Sequence, residues 1–217
     1  MTKQTKITLT SILFLLVAIT DVYAVFIQNK SLEIIFKPLL MTTLAIMYLV
    51  SVKKPNFWLV SALFFSFWGD VFLLDKANYF VFGLASFLIA HIMYIKMTSQ
   101  YVQKWTYLKL LKSAIPFVVL FMGLLSLISN NLGEMLLPVI VYGVAISIFG
   151  AFALLNYSEE KSTANTWLLL GAILFIASDS LIALNNFYTP KRLFDIAIIV
   201  LYIVSQYLIV KAVIAKE

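Results

Sequence analysis

The chain contains no cysteine and a single histidine, His91, among its 217 residues. Disulfides, thiolate catalysis and sulfur-ligated metal sites are thereby excluded, and a three-histidine zinc site cannot be assembled. Neither a Gly-x-Ser-x-Gly elbow nor a Gly-x-x-x-x-Gly-Lys loop occurs. A serine hydrolase of that type and a nucleotide-driven machine both lack their parts. Charge is scarce too, at 12% of residues against about a quarter in soluble domains. The balance is basic, with a net charge of +6. It forms no clustered basic stripe of the kind that binds nucleic acid.

What fills the chain instead is apolar: 63% of residues are hydrophobic and the mean hydropathy is +1.00. Such a sequence cannot remain an ordinary soluble domain. In lipid the backbone must satisfy its own hydrogen bonds, and long uninterrupted apolar runs do so as helices, whereas barrel strands alternate. The expected fold class is therefore all-α: a polytopic membrane protein, a bundle of about eight transmembrane helices forming a single transmembrane helical domain over 1–217. The spans fall at about 7–27, 32–50, 57–74, 79–97, 112–129, 134–155, 166–187 and 194–214, each roughly the 17 to 25 residues that a crossing needs. The basic start at Lys3 and Lys6 is like a signal peptide only superficially, because no small-residue cleavage site follows; it reads as the first helix.

Eight spans put Lys3, Lys6, Lys53, Lys54, Lys104, Lys109, Lys112, Lys161, Lys211 and Lys216 on one face, and Lys30, Lys76, Lys191 and Arg192 on the other. That bias predicts cytoplasmic termini at both ends, N-in and C-in. The expected location is the bacterial cytoplasmic (inner) membrane.

Two acids lie deep in apolar runs: Asp70, in Ser66-Phe67-Trp68-Gly69-Asp70, and Asp179, in Ala177-Ser178-Asp179. Ionisable groups inside a bilayer are costly and mark function by default. On these boundaries each is the fourteenth residue of an outward-running helix, roughly 20 Å from its cytoplasmic end, so matching depth in the outer half is expected. Lys37, Tyr142 and Asp195 reach the same half, and His91 lies nearer the middle. The two acids are 109 residues apart, and Lys37-Pro38 and Leu137-Pro138 open the second and sixth spans similarly. These echoes point to two parallel four-helix halves meeting at a central site, the alternative being chance alignment of apolar helices.

Each polar residue also has a plainer reading. Either aspartate can simply hold helices together through hydrogen bonds. Lys37 can snorkel to the interface or bind phosphate or carboxylate. His91 can be a satisfied interior histidine; Tyr94 shares its face, as Ser66 shares that of Asp70. Asp195, Tyr202 and Gln206 form one polar stripe that must face protein or water. Asp21, Lys30 and Glu33 read as interface residues, and Glu159, Glu160 and Lys161 as a solvated turn. A Gly-Asp within a span also occurs in intramembrane aspartyl proteases, but Phe67 replaces the glycine expected two residues before Gly69, and no Pro-Ala-Leu segment is present.

Several motifs follow one another along the chain: Lys37-Pro38-Leu39, Ser66-x-x-Gly69-Asp70, Phe82-Gly83-Leu84 leading to Ala90-His91-x-x-Tyr94, and Pro138-x-x-x-Tyr142. Gly171-x-x-Leu174-Phe175-x-x-Ser178-Asp179-x-x-x-Ala183 and Tyr202-x-x-x-Gln206 complete the series. In order and spacing it resembles the YhhN-like lysoplasmalogenase family. The resemblance implies a multi-pass membrane hydrolase that cleaves the vinyl ether bond of lysoplasmalogens, releasing a fatty aldehyde and glycerophosphocholine or glycerophosphoethanolamine. It implies a lysophospholipid substrate, membrane lipids as surroundings and no cofactor or metal, and leaves the oligomeric state open.

The residues suit that chemistry. A vinyl ether is cleaved by protonating its double-bond carbon, giving an oxocarbenium-like cation that water captures. Two carboxyls in low dielectric can hold one proton between them, as in glycoside hydrolysis, so that one serves as acid and the other as base. Asp70 and Asp179 are the candidates, with neither role fixed. Ser66, Ser178 and Tyr142 would orient them, Lys37 would meet the phosphate, and His91, Tyr94, Tyr202 and Gln206 would line the inner wall. A proton-coupled transporter using the same aspartates is the alternative from another class, and a lipid-binding scaffold is a third.

Overall fold

A computed structural model describes residues 2–102 and 106–216; Lys104 of the basic-residue pattern lies outside them. The described residues are helical throughout apart from short connections. In order they form α1 (Lys3–Ile27), α2 (Lys30–Ser51), α3 (Phe57–Leu73), α4 (Lys76–Ser99), α5 (Tyr107–Ile128), α6 (Leu136–Glu159), α7 (Thr163–Phe187) and α8 (Arg192–Ile214). Two 3₁₀ turns, Ser129–Asn131 and Gly133–Met135, join α5 to α6. Among the described residues seven segments are long and apolar enough to cross a membrane; α3, at 17 residues, is the short one. The chain is thus an all-α polytopic membrane bundle, with a helix at each of the eight predicted positions.

Short polar side chains start α1, α2, α3, α5 and α7, because the first N–H groups of a helix have no partner within it. Thr2 accepts from Thr5 N, Asn29 from Leu32 N, Asn56 from Trp58 N and Leu59 N, Thr106 from Lys109 N, and Ser162 from Asn165 N. Between α1 and α2 only Gln28 and Asn29 intervene. Gln28 is left-handed at φ 58°, and the backbone N–H of Asn29 returns to Ala24 O at 2.9 Å.

Two of the expected echoes are corrected. Pro38 lies inside α2, nine residues in, whereas Pro138 occupies the first turn of α6, so the two prolines do not open their helices alike. Asp70 is the fourteenth residue of α3, one turn from its C-terminal end, but Asp179 is the seventeenth of α7, two turns from its end. The cause is the Ser162 cap, which starts α7 three residues before its apolar run.

The chain separates into two compact units, Met1–Tyr94 with Val213–Glu217, and Ile95–Ala212. In the first, α1 and α2 form a closely packed antiparallel pair and α3 packs on α2. Its core is built on Leu40, Leu44, Met47 and Tyr48 along one face of α2, with Leu59, Ala62 and Leu63 of α3. The buried Tyr48 hydroxyl accepts from the backbone N–H of Asn56 at 2.8 Å, which ties down the α2–α3 connection.

In the second unit α6 is the most buried long helix and α5 the most exposed. Small residues on α6, among them Gly143, Ala145, Ser147, Gly150 and Ala151, let neighbours approach closely, the usual means of packing helices in lipid. One core cluster gathers Val102, Phe152 and Leu155; another gathers Ile128, Leu132 and Val139 with Leu184 and Phe187. At one end of this unit Asn156 Nδ2 donates to the carbonyls of Thr98 and Phe152. Asn165 Nδ2 donates to those of Asn156 and Glu160. Neither asparagine stands out in the sequence, because an amide carries no charge to flag it.

Candidate functional site

The polar residues singled out above divide between the units. Lys37, Ser66, Asp70, His91 and Tyr94 belong to the first, and Tyr142, Ser178, Asp179, Tyr202 and Gln206 to the second.

In the first unit Ser66 and Asp70 are both buried on one face of α3, as their four-residue spacing requires. Gly69 beside them admits α4. A Cβ at this position would fall 2.5 Å from the Phe87 ring, so any larger residue displaces that ring. Phe87 matters in turn for His91, one turn further along α4. His91 is fully buried with Nδ1 2.8 Å from the Phe87 carbonyl oxygen. A carbonyl only accepts, so Nδ1 carries the proton of that bond. Tyr94, also buried, meets the His91 ring edge-on at 6.5 Å. The shared face expected of His91 and Tyr94 is observed.

Lys37 stands in a setting the sequence reading did not foresee. Its ammonium is 3.5 Å from Oδ2 of Asp21 on α1, forming an ion pair. Asp21 is fully buried, which overturns its reading as an interface residue. Lys30 and Glu33, read with it, do form a half-solvated pair at 3.8 Å at the start of α2. What the sequence could not show is that the α1–α2 hairpin folds Asp21 back onto Lys37, 16 residues away.

In the second unit Tyr142 on α6 donates its hydroxyl to Oδ2 of Asp179 on α7 at 2.5 Å. The neighbouring Ser178, fully buried, donates to the carbonyl of Ile198 at 3.0 Å and so ties α7 to α8. Gly171, two turns earlier, permits the approach: a Cβ there would lie 3.0 Å from Ser205 O and 3.2 Å from Ile209 N. Tyr202 packs edge-on against Phe175 at 5.6 Å. Tyr202 and Gln206 are buried, and Asp195, at the head of the same stripe, is half-buried and accepts from Asn185 Nδ2 at 2.8 Å. The polar stripe of α8 therefore faces protein, as expected. Asn185, its partner, also accepts from Lys191 N at 2.7 Å and closes the α7–α8 turn.

The arrangement supplies, in each unit, an acidic side chain within an apolar helix, Asp70 on the short α3 and Asp179 on the membrane-length α7, together with hydroxyl-bearing and ring neighbours. Among curated proteins the chain is similar to two named "Lysoplasmalogenase", from Mycobacterium bovis and Mycobacterium tuberculosis. Each is 30% identical to it over 163 residues, 73% of this chain and 60% of the relative. The chain thus spans about 60% of the length of the curated relatives it matches. No solved structure matches it. The model of the YhhN family matches residues 32–213, which takes in α2 to α8 and all ten of the polar residues named at the head of this section, and the chain belongs to the YhhN family.

Proposed function

We propose that the protein is a membrane-embedded hydrolase of lysoplasmalogens, cleaving the vinyl ether to a fatty aldehyde and glycerophosphocholine or glycerophosphoethanolamine. The observation that carries the reading is the likeness to two relatives named lysoplasmalogenase within a shared family. The side chains are consistent with it. One carboxyl of the Asp70 and Asp179 pair protonates the vinylic carbon remote from the ether oxygen. The oxocarbenium-like cation so formed is captured at its other carbon by water, whose proton goes to the second carboxyl. The hemiacetal then collapses: its hydroxyl proton leaves, the bond to the glycerol oxygen breaks, and that oxygen takes up a proton. The net reaction consumes one water.

Tyr142 orients Asp179 through its donated hydrogen bond, and Ser66 and Ser178 support the acids from the preceding turn and the preceding residue. The Lys37 ammonium receives the phosphate, while His91, Tyr94, Tyr202 and Gln206 line the wall. Both termini face the cytoplasm of a bacterial cell, in its cytoplasmic membrane.

Purified protein in detergent, given a 1-alkenyl lysophospholipid and separately an ester lysophospholipid, tests the reading. Aldehyde from the first and no fatty acid from the second is expected. A wild type that releases no aldehyde overturns it. A substrate carried unchanged into proteoliposomes along a pH gradient would show a proton-coupled transporter instead.

A further inference from the structure

Asp21 belongs to none of the motifs and lies outside residues 32–213, on the one helix the family model leaves out. Its side chain nonetheless has no exposure, and its Oδ2 pairs with Lys37 Nζ at 3.5 Å. The other oxygen, Oδ1, has no hydrogen-bond partner among the described residues. A buried ion pair recovers its desolvation cost only when the remaining lone pairs are also satisfied. Here one oxygen is not, so fold stability is a poor explanation for the pair.

The pair is also unsymmetrical. The Lys37 side chain keeps 15% exposure while Asp21 keeps none, so of the two only the lysine side chain reaches accessible surface. An ammonium has three N–H donors, and Asp21 is the one partner that the described residues give it. A lysine stem left to itself extends toward the nearest water. A fully buried carboxylate on the adjacent helix opposes that and holds the charge within the protein.

We propose that Asp21 is a positioning residue that holds the Lys37 ammonium in place to bind the phosphate of a lysophospholipid, so that α1 supplies the counter-charge of the headgroup site. This rests on the reading of Lys37 as the phosphate group given above. Asp21 itself touches no substrate.

The test uses the full chain in detergent as wild type, Asp21→Asn, Asp21→Glu, Lys37→Gln and the Asp21→Asn/Lys37→Gln double variant. Kinetics are measured on a 1-alkenyl-glycerophosphoethanolamine and on the phosphate-free 1-alkenylglycerol. Asp21→Asn is expected to raise KM for the phosphate-bearing lipid about tenfold, the usual weight of a charge-assisted hydrogen bond. Its kcat stays within about twofold of wild type, and neither constant changes for the phosphate-free lipid. Asp21→Glu recovers most of the loss, and adding Asp21→Asn to Lys37→Gln raises KM no further. Lys37→Gln alone strands a buried carboxylate and lowers Tm; the double variant regains it.

Equal losses on both lipids, a fall confined to kcat, or Asp21 and Lys37 effects that multiply would overturn the assignment. Binding of an uncleavable 1-alkyl lysophospholipid, followed by tryptophan fluorescence, separates the proposal from the hydrolase reading. If the wild type makes no aldehyde the hydrolase reading fails, and the assignment then stands only if Asp21→Asn weakens this lipid and spares 1-alkylglycerol.

Discussion

The hydroxyl of Tyr142 reaches Asp179 across two helices and 37 residues of chain. A phenol that donates to a carboxyl fixes which oxygen is engaged and how the carboxyl plane is turned, and general acid–base chemistry depends on such geometry. Tyr142→Phe keeps the ring and removes the donor. Its expected effect is a loss of about tenfold or more in kcat, with Tm within a few degrees of wild type. Aldehyde release and thermal unfolding measured on the same preparation check it, and full activity in Tyr142→Phe would remove the hydroxyl from the mechanism. Both residues were legible in the sequence as polar groups in apolar helices, and Tyr142 was expected to orient the acids; which acid it meets was not legible, since spacing along one helix says nothing about its neighbour. Asp21 shows the opposite error. In the sequence it reads as an interface residue beside Lys30 and Glu33, and only the return of α2 along α1 reveals its burial and its lysine.

Among the helices, hydropathy located every span and misplaced several ends, for one physical reason. An apolar run marks where a helix meets lipid, whereas the helix itself begins at its cap. Thus α1 starts at Lys3 behind Thr2, and α7 at Thr163 behind Ser162, several residues before the apolar runs. The three-residue difference in α7 removes the equal rank that the two aspartates had on apolar boundaries. Helix contacts were the least legible feature. Gly171 and Gly123 look alike in sequence, yet a Cβ on Gly171 would press on the backbone of α8, while nothing lies within 4 Å of one on Gly123. Gly171→Ala is therefore expected to destabilise by about 1–3 kcal/mol, because a backbone carbonyl cannot swing aside as a side chain can. Gly123→Ala costs nothing measurable. Thermal unfolding of the two variants in one detergent checks the contrast, and equal melting temperatures would contradict the close α7–α8 approach. Ser178→Ala, which removes the hydroxyl bond to Ile198 O, should cost about 0.6 kcal/mol, the average for such interhelical bonds in membranes.

For the whole molecule, the distribution of lysines predicts that both ends of the chain stay in the cytoplasm. A fluorescent protein fused after α8 should glow and an alkaline phosphatase fused there should be inactive. Fusions in the Gln28–Asn29 turn should behave in the opposite way. Active phosphatase at the C-terminal fusion would invert the expected topology. The proposed chemistry would need few parts: two carboxyls, a tyrosine, a lysine and water. The most direct measurement is aldehyde release from a 1-alkenyl lysophospholipid by wild type, Asp70→Asn and Asp179→Asn, each checked for its fold. Robust release by the wild type and a fall of at least about a hundredfold in both variants is the predicted result; undiminished release by either variant would contradict the proposed need for both aspartates.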